Sequence, residues 1–194
     1  MIKIYMDVST EVMYIALSKD NTLIDFSERH AKRDHAKYLV DRIHHMLHKN
    51  KLSLDDLEEI IVGEGPGSYT GIRIAVTVGK TLAYAKKIPL FRVSSLIFMT
   101  SGYEGLTCVT HDARRGFVFA TIYKDSVIYM KDTYIFLDEL KHQDHYQSAN
   151  VIELDAQTYQ INLSKIDLHK KHIMDVHSFE PNYARLTEAE ENAR

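Results

Sequence analysis

The run Gly63-Glu64-Gly65-Pro66-Gly67-Ser68-Tyr69-Thr70-Gly71 has the residue types of a loop that cradles a phosphate. Such loops present backbone N–H groups at a helix start to an anion. A Walker-type loop also needs Lys followed by Ser or Thr after its last glycine, so that the amine reaches the phosphates and the hydroxyl reaches magnesium. Here Ser68 and Tyr69 follow Gly67, and the next lysine after them is Lys80. The spacing is also not the G-x-G-x-x-G of a dinucleotide fold. The bland alternative is a strand-to-helix turn, with glycine and proline forcing the backbone path and Ser68 or Thr70 capping the helix.

Other residues could carry chemistry. Asp7, with Ser9 and Thr10, follows the first apolar run. An acidic residue there can face a nucleotide phosphate and metal, or it can close the turn by an Asx-type hydrogen bond, which is the better reading. Asp112-Ala113-Arg114-Arg115 is a similar turn whose arginines suit a partner, an anion or solvent equally well. His44 and His48 lie four residues apart on one helical face, a spacing that can hold zinc. They lack the H-E-x-x-H arrangement and a third ligand, so a solvent-facing cluster is favoured. His142 with His145 and His169 with His172 are weaker pairs. Cys108 reads as a buried small hydrophobe.

The elements that position these residues follow from periodicity. Ile2, Ile4 and Met6 alternate as in a half-buried strand. Residues 12–18 and 22–28 are two more strands, separated by the turn Lys19-Asp20-Asn21. Residues 34–49 form an amphipathic helix capped by Asp34, with Ala36, Leu39, Val40, Ile43 and Leu47 on one face. A short acidic turn at 54–59, a buried strand at 60–62 and the glycine-rich turn lead to a helix over about 70–86. A strand at 90–93 and a short helix at 94–101 complete a β-β-β-α-β-α-β-α half. Strands over 107–111, 116–123 and 127–136 repeat the opening pattern. Beyond Phe136 the pattern decays, and residues 187–194 read as a solvated tail. The division falls near Tyr103-Glu104-Gly105, giving lobes 1–103 and 104–194.

The 194 residues suit one large domain or two small ones, and the formal net charge of −3 argues against an independent nucleic-acid binder. One cysteine, no charged leader with an apolar core, and an apolar helix broken by Arg73, Lys80, Lys86 and Lys87 point to a cytoplasmic chain with no membrane span.

The glycine-rich run continues as Ile72-Arg73-Ile74-Ala75, and the whole string resembles the signature of the TsaB family. These are accessory subunits of the bacterial machinery that makes threonylcarbamoyladenosine on tRNA. Asp7-Val8-Ser9-Thr10, Arg33-Asp34-His35 and Asp112-Ala113-Arg114-Arg115 fit in order, covering about the first two thirds of the chain. The resemblance implies an α/β fold of the ribonuclease H-like, actin-like (ASKHA) class, with a mixed sheet, flanking helices and two lobes, the second minimal. It also implies a chain that binds the catalytic relative TsaD, is joined by the ATPase TsaE near that junction, and pairs with itself when TsaD is absent. Transfer RNA is reached only through the complex. The isolated chain needs no cofactor, and ATP or ADP is left for the complex junction.

The small residues Gly71, Ala75, Gly79 and Ala83 recur every fourth position of the second long helix, which is apolar or small around much of its circumference. Such a helix should be covered on two sides, by its own sheet and by another helix brought close by the small stripe. The first helix could supply that cover, or a partner could. The expected partner face is Tyr38, Arg42, Gly71, Ile72, Ala75, Val76, Gly79 and Ala83. Gly65, Pro66, Gly67, Ser68, Thr70 and Arg73 form the signature loop, a structural turn open to an anion contact. Asp7, Ser9 and Thr10 stand where related enzymes bind nucleotide.

TsaD carries a metal-binding H-x-x-x-H motif after the strand that follows this helix. The matching positions are Ser95 and Met99, neither a normal ligand for a hard or borderline divalent metal. The chain is therefore expected to be non-catalytic, with no metal site. The competing readings are a stand-alone ATP-binding enzyme of the same fold, and a metallopeptidase, which lacks any H-E-x-x-H.

Overall fold

A computed structural model describes residues 1–31 and 35–184. The expected cap Asp34, the Arg33-Asp34 part of its motif, Arg185 and the tail at 187–194 lie outside those residues.

The first sheet is built on β1 (Ile2–Asp7), β2 (Val12–Lys19) and β3 (Thr22–His30), an antiparallel meander. Helix α1 (His35–Lys49) then crosses to β4 (Glu59–Gly63), which pairs parallel with β1. Helix α2 (Tyr69–Lys86) crosses to β5 (Leu90–Val93), parallel to β4. Helix α3 (Ser95–Thr100) leads into the second sheet. There β6 (Thr107–Asp112), β7 (Phe117–Lys124) and β8 (Val127–Phe136) form a second meander. The single-turn α4 (Leu137–Leu140) precedes β9 (Asn150–Glu153), which runs parallel to β6. Helix α5 (Leu163–His169) follows, and β10 (Lys171–His172) returns to pair with β5.

The strand orders are β10-β5-β4-β1-β2-β3 and β8-β7-β6-β9. The second sheet repeats the β3-β2-β1-β4 order of the first, the duplicated arrangement of the ribonuclease H-like, actin-like fold. The second lobe is the smaller; among the described residues, α4 and a short turn at Tyr146–Ser148 cover its outer face.

β1 is buried on both faces rather than half-buried. Ile4 and Met6 join the core under α1 and α2, whereas Tyr5 joins the core between the sheets with α3 and α5. The first sheet therefore lies between two apolar layers. Lys3, near the start of the interior strand β1, is buried and donates to Asn21 at 2.8 Å and Asp167 at 2.6 Å. Tyr5 also donates to Asp167, so α5 is tied to β1 by a buried polar network. The chain from β10 onward does not stay in the second lobe. Phe179 enters the first core, and the Asn182 N–H donates to the Glu64 carbonyl at 2.7 Å.

Candidate functional site

The Asp7 turn, the glycine-rich loop and the start of α2 are packed together. Asp7 Oδ1 accepts from the Ser9 N–H at 2.7 Å and the Ser9 hydroxyl at 2.6 Å, the Asx-type closure. Thr10 Oγ1 accepts from the Val12 N–H at 3.0 Å, opening β2. Asp7 Oδ2, fully buried, has no hydrogen-bond partner among the described residues. Burial pushes the Asp7 carboxyl above its usual range, against the pull of the Ser9 and Ser95 hydroxyls and the Ser9 N–H. The second lobe repeats this turn, with the Arg114 N–H donating to Asp112 Oδ1 at 2.9 Å. Arg114, Arg115 and Gly116 all have positive φ, and both arginine side chains are exposed.

Backbone contact explains the glycines of the loop. The Ser68 N–H donates to the Ser9 carbonyl at 2.7 Å. A Cβ on Gly67 would stand 2.4 Å from Ser9 O, and one on Gly71 would stand 1.8 Å from Val8 O. The Gly65–Pro66 peptide is cis. Ser68, not Thr70, caps α2, its hydroxyl accepting from the Gly71 N–H at 3.3 Å. The Arg73 guanidinium turns back to donate to the Tyr69 hydroxyl at 2.9 Å, and the Tyr69 ring stacks on Tyr183 at 4.9 Å.

Ser95 and Met99 are both fully buried. The Ser95 hydroxyl accepts from the Gly65 N–H at 2.9 Å, and Met99 packs in the core between the sheets. Both positions therefore serve packing and loop geometry. Among the described residues no group of three His, Cys, Asp or Glu side chains is placed to hold a metal. His44 and His48 stack at 6.3 Å on the exposed side of α1. Cys108 is buried, which pushes its thiol up to about 11. No helix among the described residues is long and apolar enough to cross a membrane.

The expected partner face is corrected by the packing of α2. Gly71, Ile72, Ala75, Val76, Gly79 and Ala83 are its buried residues, turned toward the chain's own sheet. A Cβ on Gly79 would stand 2.6 Å from Val62 Cγ1, so the small stripe lets α2 approach β4 rather than another molecule. Arg42 is also engaged internally, donating to the Ser27 hydroxyl at 2.6 Å and the Glu28 carbonyl. Tyr38 packs against the first core beneath the Arg29 guanidinium, 4.3 Å above its ring. Helices α1 and α2 do touch, so part of the second cover is intramolecular.

What faces outward is different. Ala36 and Val40, expected on the buried face of α1, point to solvent, Val40 at 58 % exposure. Ala36, Tyr69, Arg73, Ile74, Thr77 and Val78 line an open groove between the two helices. Periodicity located the apolar residues of both helices without separating inward from outward.

The sequence matches the family model for TsaD, tRNA N6-adenosine threonylcarbamoyltransferase, over residues 27–179. It is 31 % identical to the tRNA threonylcarbamoyladenosine biosynthesis protein TsaB of Bacillus subtilis, across 95 % of this chain and 94 % of that protein. The chain belongs to the TsaB family, within the TsaD-related group. Escherichia coli TsaB is 32 % identical across 61 % of this chain and 53 % of its own length. Two solved Pseudomonas aeruginosa structures share the fold. One is described as an uncharacterized protein with similarity to peptidase YEAZ, with a TM-score of 0.76, 20 % identity and coverage of 95 % of this chain and 99 % of its own. The other is YeaZ, with a TM-score of 0.70, 22 % identity and coverage of 86 % and 89 %. The TsaB-family signature thus coincides with the loop that locks the Asp7 turn to the start of α2.

Proposed function

We propose that this chain is a non-catalytic subunit in tRNA threonylcarbamoyladenosine biosynthesis that binds TsaD through the outer faces of α1 and α2. The observation that carries the reading is the apolar groove lined by Ala36, Ile74 and Val78, with Val40 exposed on α1. Two helices offering such a face can pack against two helices of a related fold at axis separations of about 8–10 Å. The same face serves self-pairing when TsaD is absent. TsaE joins at that junction, where ATP or ADP lodges, and tRNA is bound by the complex. The chain acts in the cytoplasm and supplies surface rather than chemistry, since Ser95 and Met99 stand where TsaD holds its metal.

Val40→Arg and Ile74→Arg test the reading. Each places a charge on the outer face; Val40 is exposed, and because Ile74 also packs against the first core, the thermal midpoint of each variant is measured alongside pairing. Co-purification with TsaD should fall at least about tenfold, because an unpaired charge in an apolar interface is costly. Undiminished recovery of TsaD by both variants would remove this face from the proposal. The buried Asp7 carboxylate, whose Oδ2 accepts no close hydrogen bond among the described residues and has the Ser95 hydroxyl near it, is the observation that favours a second reading, a stand-alone ATP-binding enzyme. ATP turnover by the purified chain, abolished by Asp7→Asn, would establish it instead.

A further inference from the structure

A second cavity, of about 220 Å³, lies away from the helical face and is enclosed by parts of both sheets, α5 and the returning C-terminal segment. Glu64 beyond β4, Arg92 on β5, Ser94, Lys131 and Asp132 on β8, and Lys171 on β10 supply its charged and polar lining. Asp7, Ser9 and Thr10 do not line it, so it is separate from the first-lobe turn.

The charges in this cavity are unevenly matched. Arg92 Nη1 donates to Glu64 Oε2 at 2.9 Å. Asp132 Oδ1 accepts from the Ser94 hydroxyl at 2.7 Å, and Oδ2 accepts from Asn182 Nδ2 at 3.2 Å. These bonds fix both carboxylates in place while leaving lone pairs free for further donors. The Lys131 and Lys171 side chains, by contrast, make no hydrogen bond or close ion pair among the described residues, although the Lys171 charge acts on Asp132 through space. The cavity therefore offers two ammonium groups outside any close ion pair, and two carboxylates held by hydrogen bonds, one of them paired with Arg92.

We propose that this cavity binds a small polar metabolite carrying an anionic oxygen group at one end and hydroxyl or amine donors at the other. The anion is taken by Lys131 and Lys171, since ammonium groups serve as point-charge ligands for phosphate or carboxylate. The donors are taken by Asp132 and Glu64. A ligand anionic at both ends meets the two carboxylates, and a purely cationic one meets the two lysines. The volume is below the roughly 300–1,000 Å³ of pockets for drug-sized ligands, which selects a compact metabolite over a nucleotide. Because the lining comes from both lobes and from the C-terminal return, occupancy ties the three together. This site is independent of the helical face.

Isothermal titration of the full chain with glycerol 3-phosphate and with glycerate tests the assignment. Both probes carry hydroxyl donors and they differ in the anion, so the tighter one identifies whether phosphate or carboxylate is preferred. One of them should bind saturably and at least about tenfold more tightly than inorganic phosphate, which has no carbon chain with hydroxyls to reach the carboxylates. The double variant Lys131→Met with Lys171→Met should weaken that binding about tenfold or more without lowering the thermal midpoint, because both side chains are exposed. Amide shifts should appear at Ser94, Lys131 and Lys171. The proposal is overturned if neither probe binds below about 10 mM, if the double variant binds as well as the parent, or if the shifts map to the Asp7 turn.

Discussion

Gly71→Ala separates a helix that packs on its own sheet from one that presents its small residues to a partner. Gly71 sits in the first turn of α2, and its φ is not among the positive ones, so alanine meets no backbone strain there. Helix propensity alone would favour alanine by about 1 kcal/mol. The added Cβ would lie 1.8 Å from Val8 O, inside the 3.0 Å that real Cβ atoms respect. A backbone carbonyl cannot rotate away like a flexible side chain, so α2 must move off the Asp7 turn by about 1 Å or more. That displacement overpacks the site, at about 1–3 kcal/mol. It also strains the Ser68-to-Ser9 backbone bond and the Ser68 cap, each worth about 1 kcal/mol. The net expectation is a loss of about 2–4 kcal/mol, which for a chain of this size lowers the melting midpoint by about 5–15 °C. Urea unfolding of the isolated chain, repeated at two protein concentrations to separate folding from self-pairing, reads this directly. A variant as stable as the parent that fails only to pair would refute the inward placement of the stripe.

Four further outcomes follow from the packing. Lys3→Met should cost about 1–3 kcal/mol in chemical unfolding, because it removes the 2.6 Å partner of the partly buried Asp167 and leaves it the Tyr5 hydroxyl and the more distant Lys170. Asp132, pushed up to about 6 by burial, binds its proton more tightly when folded. Its contribution to stability is therefore fully present below about pH 4 and is lost as pH rises through about 6, by up to about 3 kcal/mol. A stability–pH profile of Asp132→Asn should lack that decline, and an unchanged profile would place the titration elsewhere. Arg115→Gly should stabilise the second-lobe turn by about 0.5–1 kcal/mol, since φ there is 56°; a loss of stability would mean the arginine side chain is needed. Ser68→Ala should cost about 1 kcal/mol through loss of the α2 cap, measured by thermal unfolding.

Most of the first lobe was legible in the residues. Alternation and turn chemistry located β2 and β3, and small-apolar runs located α2 and β4, because these signals are local. The reason for the signature glycines was only partly legible. Gly67 and Gly71 marked a turn, but that they are glycine because Ser9 O and Val8 O press on them required the turn after β1 to be in place. The end of the chain was the least legible. β9 is mostly exposed and β10 has two residues, so neither carries periodicity. The helix α5 did leave a faint signal, an Asn162 cap followed by Leu163 and Ile166 one turn apart.

What the sequence determined by itself was the order of elements, the duplicated meander and the signature loop. Each of these is written in residue types and short spacings. Only the tertiary structure decided which way α2 faces. A helix that is small or apolar around most of its circumference has no single preferred buried side. The choice fell to shape, since only Gly71 and Gly79 allow the approach to Val8 and Val62. That choice left Ile74 and Val78 half-exposed beside Ala36 of α1. It also fell to long-range packing to bring residues 171–182 back across the first sheet, closing a cavity around Asp132 from segments more than a hundred residues apart, Glu64 and Asn182 among them.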